Sequence, residues 1–210
     1  MVAELVRTWV AGWVVSRQRP RAVEHPWGLY VDVGRPDHVG RHVLPAPDES
    51  SVRAAAASVT APYTWLKLPV ETETVEPWLP AGWSADKEES GHLMAADLRA
   101  THPVAPAGYR ASVATADGVI RVRVHDARGD LAAKGQMAVV GRATVVDQVQ
   151  TEEAHRRRGL GGFVMRTLAD RALAEGATLG VLGATDEGRA LYESLGWRRH
   201  SGLAACVYRP

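Results

Sequence analysis

Residues 155–163 read HRRRGLGGF. Arg156, Arg157 and Arg158 set three cations beside Gly159, Gly161 and Gly162. The first turn of a helix carries amides with no intrahelical acceptor and the positive end of the helix dipole. Glycines without Cβ let an oxyanion approach such a backbone closely, and arginines add full charge. The stretch therefore has the parts of a phosphate or pyrophosphate cradle. It departs from the common phosphate motifs. No Gly-Lys-Ser/Thr is present, and the glycines do not space as Gly-x-Gly-x-x-Gly. On residue types alone, a glycine-rich helix entrance with solvated arginines accounts for it equally well.

A cradle needs a strand before it and a helix after it. Residues 143–151 read as that strand, and residues 159–175 as that helix. Leu160, Phe163, Val164, Thr167, Leu168, Arg171 and Ala172 line one side of the helix, and Gly176 follows its end. Residues 119–125 and 131–140 are two further strands. With the Gly141-Arg142 turn they make an antiparallel meander. Residues 179–182 are a short buried strand, and residues 186–195 a second helix stopped by Gly196. Trp197 opens the last strands, which end near Tyr208.

The first half carries Trp9, Trp13, Trp27, Trp65, Trp78 and Trp83, six of the seven tryptophans, so it must fold and bury a core. Leu5, Val6, Trp9, Val10, Trp13 and Val14 mark one face of a helix packed on its own domain. Strands are expected near 27–33, 41–44, 63–68 and 92–98, a helix from Asp48 to Ser58, and a helical turn at 76–79. Residues 101–108, THPVAPAG, hold two prolines and a glycine and read as a linker. The fold class is α/β, an α+β arrangement on a mixed sheet. The organisation is an N-terminal α/β subdomain over 1–100, the linker, and a second domain over 109–210.

Formal net charge is +1, against the strong basic excess of a general nucleic-acid binder. The apolar part of residues 5–15 is too short to span a bilayer, so no membrane partner is expected. Cys206 is the only cysteine. It allows no intrachain disulfide and no cysteine zinc site, fits a cytoplasmic location, and reads as buried and inert. His38 and His42 stand four apart, but their setting points to a solvated loop rather than a metal site.

Two segments together carry a resemblance. Val149-Gln150-Thr151 followed by Arg156, Gly159 and Gly161 resembles motif A of the GCN5-related N-acetyltransferase (GNAT) superfamily, Gln/Arg-x-x-Gly-x-Gly/Ala. Residues 185–197, TDEGRALYESLGW, resemble its motif B helix, with Leu191, Tyr192, Gly196 and Trp197 matching. The resemblance covers about residues 109–210. It implies an acyl-CoA N-acyltransferase fold and an acetyl-CoA-dependent enzyme that moves an acyl group to a primary amine by direct attack, through a tetrahedral intermediate. Acetyl-CoA is then the cosubstrate, with no metal, and a homodimer is allowed.

By the same resemblance, the pantetheine arm pairs with the backbones of Val149 and Thr151 beside Gln150. The pyrophosphate sits on the amides of Arg157, Arg158, Gly159, Leu160, Gly161 and Gly162, flanked by Arg156. A strand amide near Val149 holds the oxyanion. Tyr192 protonates or hydrogen-bonds the departing thiolate. Thr185 stands where the family often has Asn. It is a cofactor-binding candidate and also a helix cap. For the general base, Asp147 is preferred because it lies two residues before Val149 and so shares its face. Glu152, His125 and a water chain are the alternatives. The alternative reading, kept open by the unidentified base, is a non-catalytic acyl-CoA-binding regulatory module that kept the cradle and lost turnover; Tyr192 favours the enzyme.

Two departures matter. Residues 109–120 are too short for the two helices the family places early, so the first half must wall the acceptor pocket. WLPAGW at 78–83 echoes YESLGW at 192–197. That echo resembles a decayed second acyltransferase-like half, as in glycine N-acyltransferase-like proteins. A coincidence of two Gly-Trp pairs explains it equally well.

Overall fold

A computed structural model describes all 210 residues. The first half runs α1 (Val2–Ser16), β1 (Val23–His25), β2 (Gly28–Arg35), β3 (His38–Val43), α2 (Glu49–Ala57), β4 (Thr64–Leu68), α3 (Thr72–Val75), β5 (Trp83–Ala85) and β6 (Gly91–Asp97). The second half runs β7 (Arg110–Ala116), β8 (Val119–His125), β9 (Leu131–Val140), β10 (Ala143–Thr151), α4 (Leu160–Ala174), β11 (Leu179–Ala184), α5 (Asp186–Ser194) and β12 (Arg198–Tyr208). Single 3₁₀ turns follow α3, at Glu76–Trp78, and precede α4, at Glu153–His155. Residues 101–108 hold no strand or helix.

The strands form one sheet in the order β1-β2-β3-β4-β12-β6-β11-β10-β9-β8-β7, with β5 also on β12. The two halves exchange their last strands. β6, from the first half, pairs with β11, while β12, from the second, pairs with β4. Outward from the central β12–β6 pair, both directions meet the same sequence. A parallel pair comes first, β4 with β3 on one side and β11 with β10 on the other, and antiparallel β2 or β9 follows. Each parallel pair is bridged by a helix, α2 or α4, as a parallel crossover requires. Gly82 and Gly196 both take positive φ, +82° and +86°, each one residue before the Trp that leads into β5 or β12.

Helices cover both faces of the second half of the sheet. On one face, Phe163, Val164 and Leu168 of α4 bury against Ile120, Val122, Met137, Val146 and Leu182. On the other, Leu5, Val6, Trp9, Val10, Trp13 and Val14 of α1 bury against Val145, Val181 and Leu93, and also against Leu29, Val31 and Val43 of the first half. Each such side chain removed from water contributes about 1.5–3 kcal/mol, so α1 binds the halves together. Gly12 makes the approach possible, because a Cβ there would lie 2.3 Å from Val145 Cγ2.

Three local expectations change. β7 has no counterpart in the sequence reading because every one of its residues is exposed, so no alternation marks it. His38 and His42 lie on β3 and are buried rather than on a solvated loop. Arg171, placed on the inner side of α4, is exposed, since the buried stripe is completed by Met165 and Ala172. No helix is long and apolar enough to cross a membrane. No group of three His, Cys, Asp or Glu side chains is gathered to hold a metal.

Candidate active site

β10 and β11 run parallel for three residue pairs, from Ala143–Leu179 to Val145–Val181, and then part. Beyond that point β11 continues along β6 to Ala184 and β10 continues along β9 to Thr151. A wedge opens between them. At its mouth β10 is bulged: Asp147 opposes Gln136 and Gln150 opposes Lys134, leaving Gln148 and Val149 without ladder partners. Gln148 takes φ +53°. A bulge inserts one residue and reverses the alternation beyond it. Val146 and Val149 therefore both face α4, while Asp147 faces α1.

The loop after β10 is built to leave its amides free. Arg157 and Gly159 both take positive φ, +62° and +77°, and Gly159 is the N-cap of α4 with no side-chain cap. The amides from Arg157 to Gly162 donate to no acceptor within the protein. Gly161 packs where a Cβ would meet Leu191 Cδ2 at 2.9 Å, which seats α5 against the loop. α2 is the opposite case. Asp48 accepts from the Ser51 amide at 2.7 Å, the Ser51 hydroxyl accepts from the Asp48 amide at 2.9 Å, and Glu49 adds a second negative charge. A phosphate fits the bare cationic terminus of α4 and is excluded from the capped acidic one of α2.

From the wedge a cavity of about 490 Å³ reaches into the first half. Its lining combines Tyr192, Asp147, Val149 and Thr185 of the second half with Trp9 and Trp13 of α1 and with His38, Arg41, Trp65 and Lys67 of β3 and β4. Burial first, and then the Asp147 charge, push the Tyr192 phenol up to about 12. Burial, with Arg17 adding to it, lowers Arg41 to about 10, and burial with the Arg41 charge lowers Lys67 to about 8. Both remain cations at neutral pH. Burial and those two charges draw His38 down to about 3, so its imidazole is neutral. His38 Nε2 and Arg41 Nε are buried without a hydrogen-bond partner. An unsatisfied buried polar group costs about 1–3 kcal/mol.

Comparison with known proteins bears on this geometry. Residues 129–206 match the family model described as FR47-like protein. No curated protein matches the sequence. Among solved structures, a GCN5-related N-acetyltransferase from Kribbella flavida is 20% identical and aligns over 99% of this chain and 95% of its own, with a TM-score of 0.67. This is the GCN5-related N-acetyltransferase fold. A GCN5-related N-acetyltransferase-like protein from Streptococcus suis shares it at 12% identity over the whole of both chains, with a TM-score of 0.58. A tandem GNAT protein from the clavulanic acid biosynthesis pathway shares it at 12% identity over 77% of this chain and 68% of its own, with a TM-score of 0.55.

Within the GNAT fold, the residues singled out by sequence lie on β10, in the loop that opens α4, and on α5 with its cap. Val149, Gln150 and Thr151 lie on the free edge of β10 along the wedge, and Gly159, Gly161 and Gly162 open the loop. Arg156 is exposed beside the loop, with Nη1 3.5 Å from Glu187. Leu160, the first residue of α4, buries its side chain in the core, so only its backbone faces the loop. The Arg158 guanidinium turns away and donates to Tyr109 Oη at 3.1 Å, leaving its amide in the loop. His155, without a role in the motif, hydrogen-bonds the same Tyr109 hydroxyl at 2.9 Å and lies 3.9 Å from Asp126, which ties the loop to the β8–β9 turn. Thr185 caps α5, accepting from the Gly188 amide at 3.1 Å.

Asp147 requires a correction. It does not share a face with Val149, because the bulge intervenes. Its Oδ2 accepts from Ser16 Oγ at 2.8 Å and from Arg17 Nε, and its Oδ1 accepts from Arg17 Nη2 at 2.8 Å and from the Gln148 amide at 2.9 Å. Both carboxylate oxygens are thus occupied, and the guanidinium spans the pair. Glu152 sits past the bulge at the end of β10, and His125 at the end of β8; neither lines the cavity. Arg41, Lys67 and His38 were missed as cavity residues. Lys67 left a signal: one of three lysines in the chain, set inside the apolar run TWLKL.

Proposed function

We propose that the protein is an acetyl-CoA-dependent N-acetyltransferase that acylates a primary amine by direct attack. The carrying observation is the bare, glycine-opened N-terminus of α4 at the end of a wedge between β10 and β11. The amides of Arg157 to Gly162 receive the pyrophosphate with Arg156 at the flank, and the β10 backbone at Val149 and Thr151 receives the pantetheine amides. The acyl carbon then lies at the wedge mouth, where the cavity delivers the amine. Nitrogen attacks the thioester carbonyl, and the unpaired strand amide near Val149 stabilises the oxyanion. The intermediate expels the thiolate, and the amine proton leaves to solvent through the cavity. A thiol ionises near 8.5, so full proton transfer from a phenol raised to about 12 is uphill. Tyr192 therefore acts as a neutral hydrogen-bond donor to the departing sulfur.

Asp147 we assign to positioning: it holds the bulge and the end of α1 rather than taking the proton. That occupied carboxylate is also what favours the other reading, a non-catalytic acyl-CoA-binding module. Titration calorimetry with acetyl-CoA, joined to thiol release with amines, separates the two. Acetyl-CoA is expected to bind, with Arg156→Ala/Arg157→Ala weakening it about 10-fold or more, and amines are expected to release thiol. Binding without release with any amine supports the module, and absence of binding rejects both.

We further propose that residues 1–100 are a decayed repeat of residues 109–210 that kept the strand order and lost the cradle. The matching pairings on either side of β12–β6 and the likeness to a tandem GNAT protein support this. The self-capped start of α2 accounts for the loss.

A further inference from the structure

The part of the cavity wall supplied by the first half carries two buried cations, Arg41 and Lys67, neither of which forms an ion pair. Arg41 is nine-tenths buried, stands 4.3 Å over the Trp13 ring, and makes no ion pair or hydrogen bond. Lys67, on the adjacent strand, donates only to the Glu89 carbonyl, leaving two of its protons without an acceptor. His38, stacked on Trp65 at 5.1 Å, adds an unpartnered Nε2 to the same wall. Asp147 is paired with Arg17 and Asp37 with Arg35, and the exposed Glu89 lines the cavity and acts on both cations at longer range, but no carboxylate oxygen comes within 4 Å of either cation. Buried charges are retained when something pairs with them. Solvent does not reach Arg41 Nε, and the protein offers it no acceptor. The missing partner is an anion that arrives through the cavity.

We propose that Arg41 and Lys67 bind an oxyanion, carboxylate or phosphate, on the acceptor itself, so that the acceptor is an amine carrying such a group. The inference rests on the acetyltransferase reading above. With the oxyanion on β3 and β4, the amino group of a small acceptor points back across the cavity toward β10 and Tyr192, where the acyl carbon lies.

Matched pairs test this: alanine against ethylamine, phenylalanine against phenethylamine, and O-phosphoethanolamine against ethanolamine, each with acetyl-CoA and a thiol-release readout. At least one oxyanion-bearing member is expected to exceed its neutral partner in kcat/KM by about 100-fold, and which pair responds distinguishes carboxylate from phosphate. In Arg41→Gln and Lys67→Met, the preferred acceptor is expected to lose about 10-fold or more through KM. Acetyl-CoA affinity and the rate with the neutral amine should hold. Equal rates within every pair, or equal slowing of both members in the variants, overturn the inference and leave the acetyltransferase reading standing. Acetyl-CoA binding with no turnover of any amine overturns both. The wild-type comparison decides even if a variant does not fold.

Discussion

Tyr192 lines a cavity in which both burial and the Asp147 charge oppose its ionisation. A group that stays neutral well above physiological pH donates a hydrogen bond throughout the working range. Tyr192→Phe is expected to lower kcat by about 10²-fold or more with acetyl-CoA affinity unchanged. An unchanged kcat would remove Tyr192 from the chemistry. The buried histidines act on stability instead. Burial is the leading cause at both, and His38 falls to about 3 and His42 to about 4. In the unfolded chain both protonate near 6.5. Between pH 6.5 and 4 the unfolded state therefore binds more protons, and stability must fall as pH drops through that window. The urea midpoint is expected to decline from pH 7 to 4.5, and His38→Gln/His42→Gln to flatten that decline. An equal slope in the double variant would contradict it. Neither histidine was legible as buried, because β3 reads HVGRHV, in which His38, Arg41 and His42 make half of the residues polar or charged and suggest a solvated segment. Arg41 was hidden by the same pattern, whereas Lys67 stood out in the apolar run TWLKL.

The elements that position the site were mostly legible. Apolar alternation marked β8, β9 and β10, helical periodicity marked α1 and α4, and Gly176 and Gly196 marked helix ends. The bulge was not, because nothing in VVDQVQ says which residue leaves the ladder. That one residue moves Asp147 to the α1 face, away from Val149. Asp147→Asn tests its assignment to positioning. As a positioning residue, Asp147 loses its ion pair with Arg17 on substitution, which is expected to cost about 1–3 kcal/mol of stability while turnover survives. Loss of turnover by about 10²-fold or more with native stability would restore it as the base. Helix placement has its own test. Gly12→Leu forces a side chain into Val145, and overpacking of this kind costs about 1–3 kcal/mol. An unchanged denaturation midpoint would show that α1 does not sit so close.

At the scale of the whole molecule, the exchange of β6 and β12 makes the halves interdependent. No local pattern announces such pairing. Pro103, Pro106 and Gly108 suggested a linker at 101–108, and the segment holds neither strand nor helix. Yet the Thr101 and His102 amides bond the Asp170 carboxylate of α4 at 2.9 and 2.7 Å, so the segment is fastened to the second half. Thermal unfolding is expected as one transition with equal calorimetric and van't Hoff enthalpies. Two separated transitions would mean that the halves fold alone. The exchange also explains how first-half residues wall a cavity that opens at β10 of the second half. The central claim is that this combined site transfers an acyl group. The most direct measurement is product analysis by mass spectrometry after incubation with acetyl-CoA and an amine that carries a carboxylate or phosphate, with released thiol counted in parallel. The expected result is N-acetylated amine and free thiol in equal amounts, both greatly reduced in Tyr192→Phe. Acetyl-CoA that binds yet remains intact, or thiol released without acetylated amine, would contradict it.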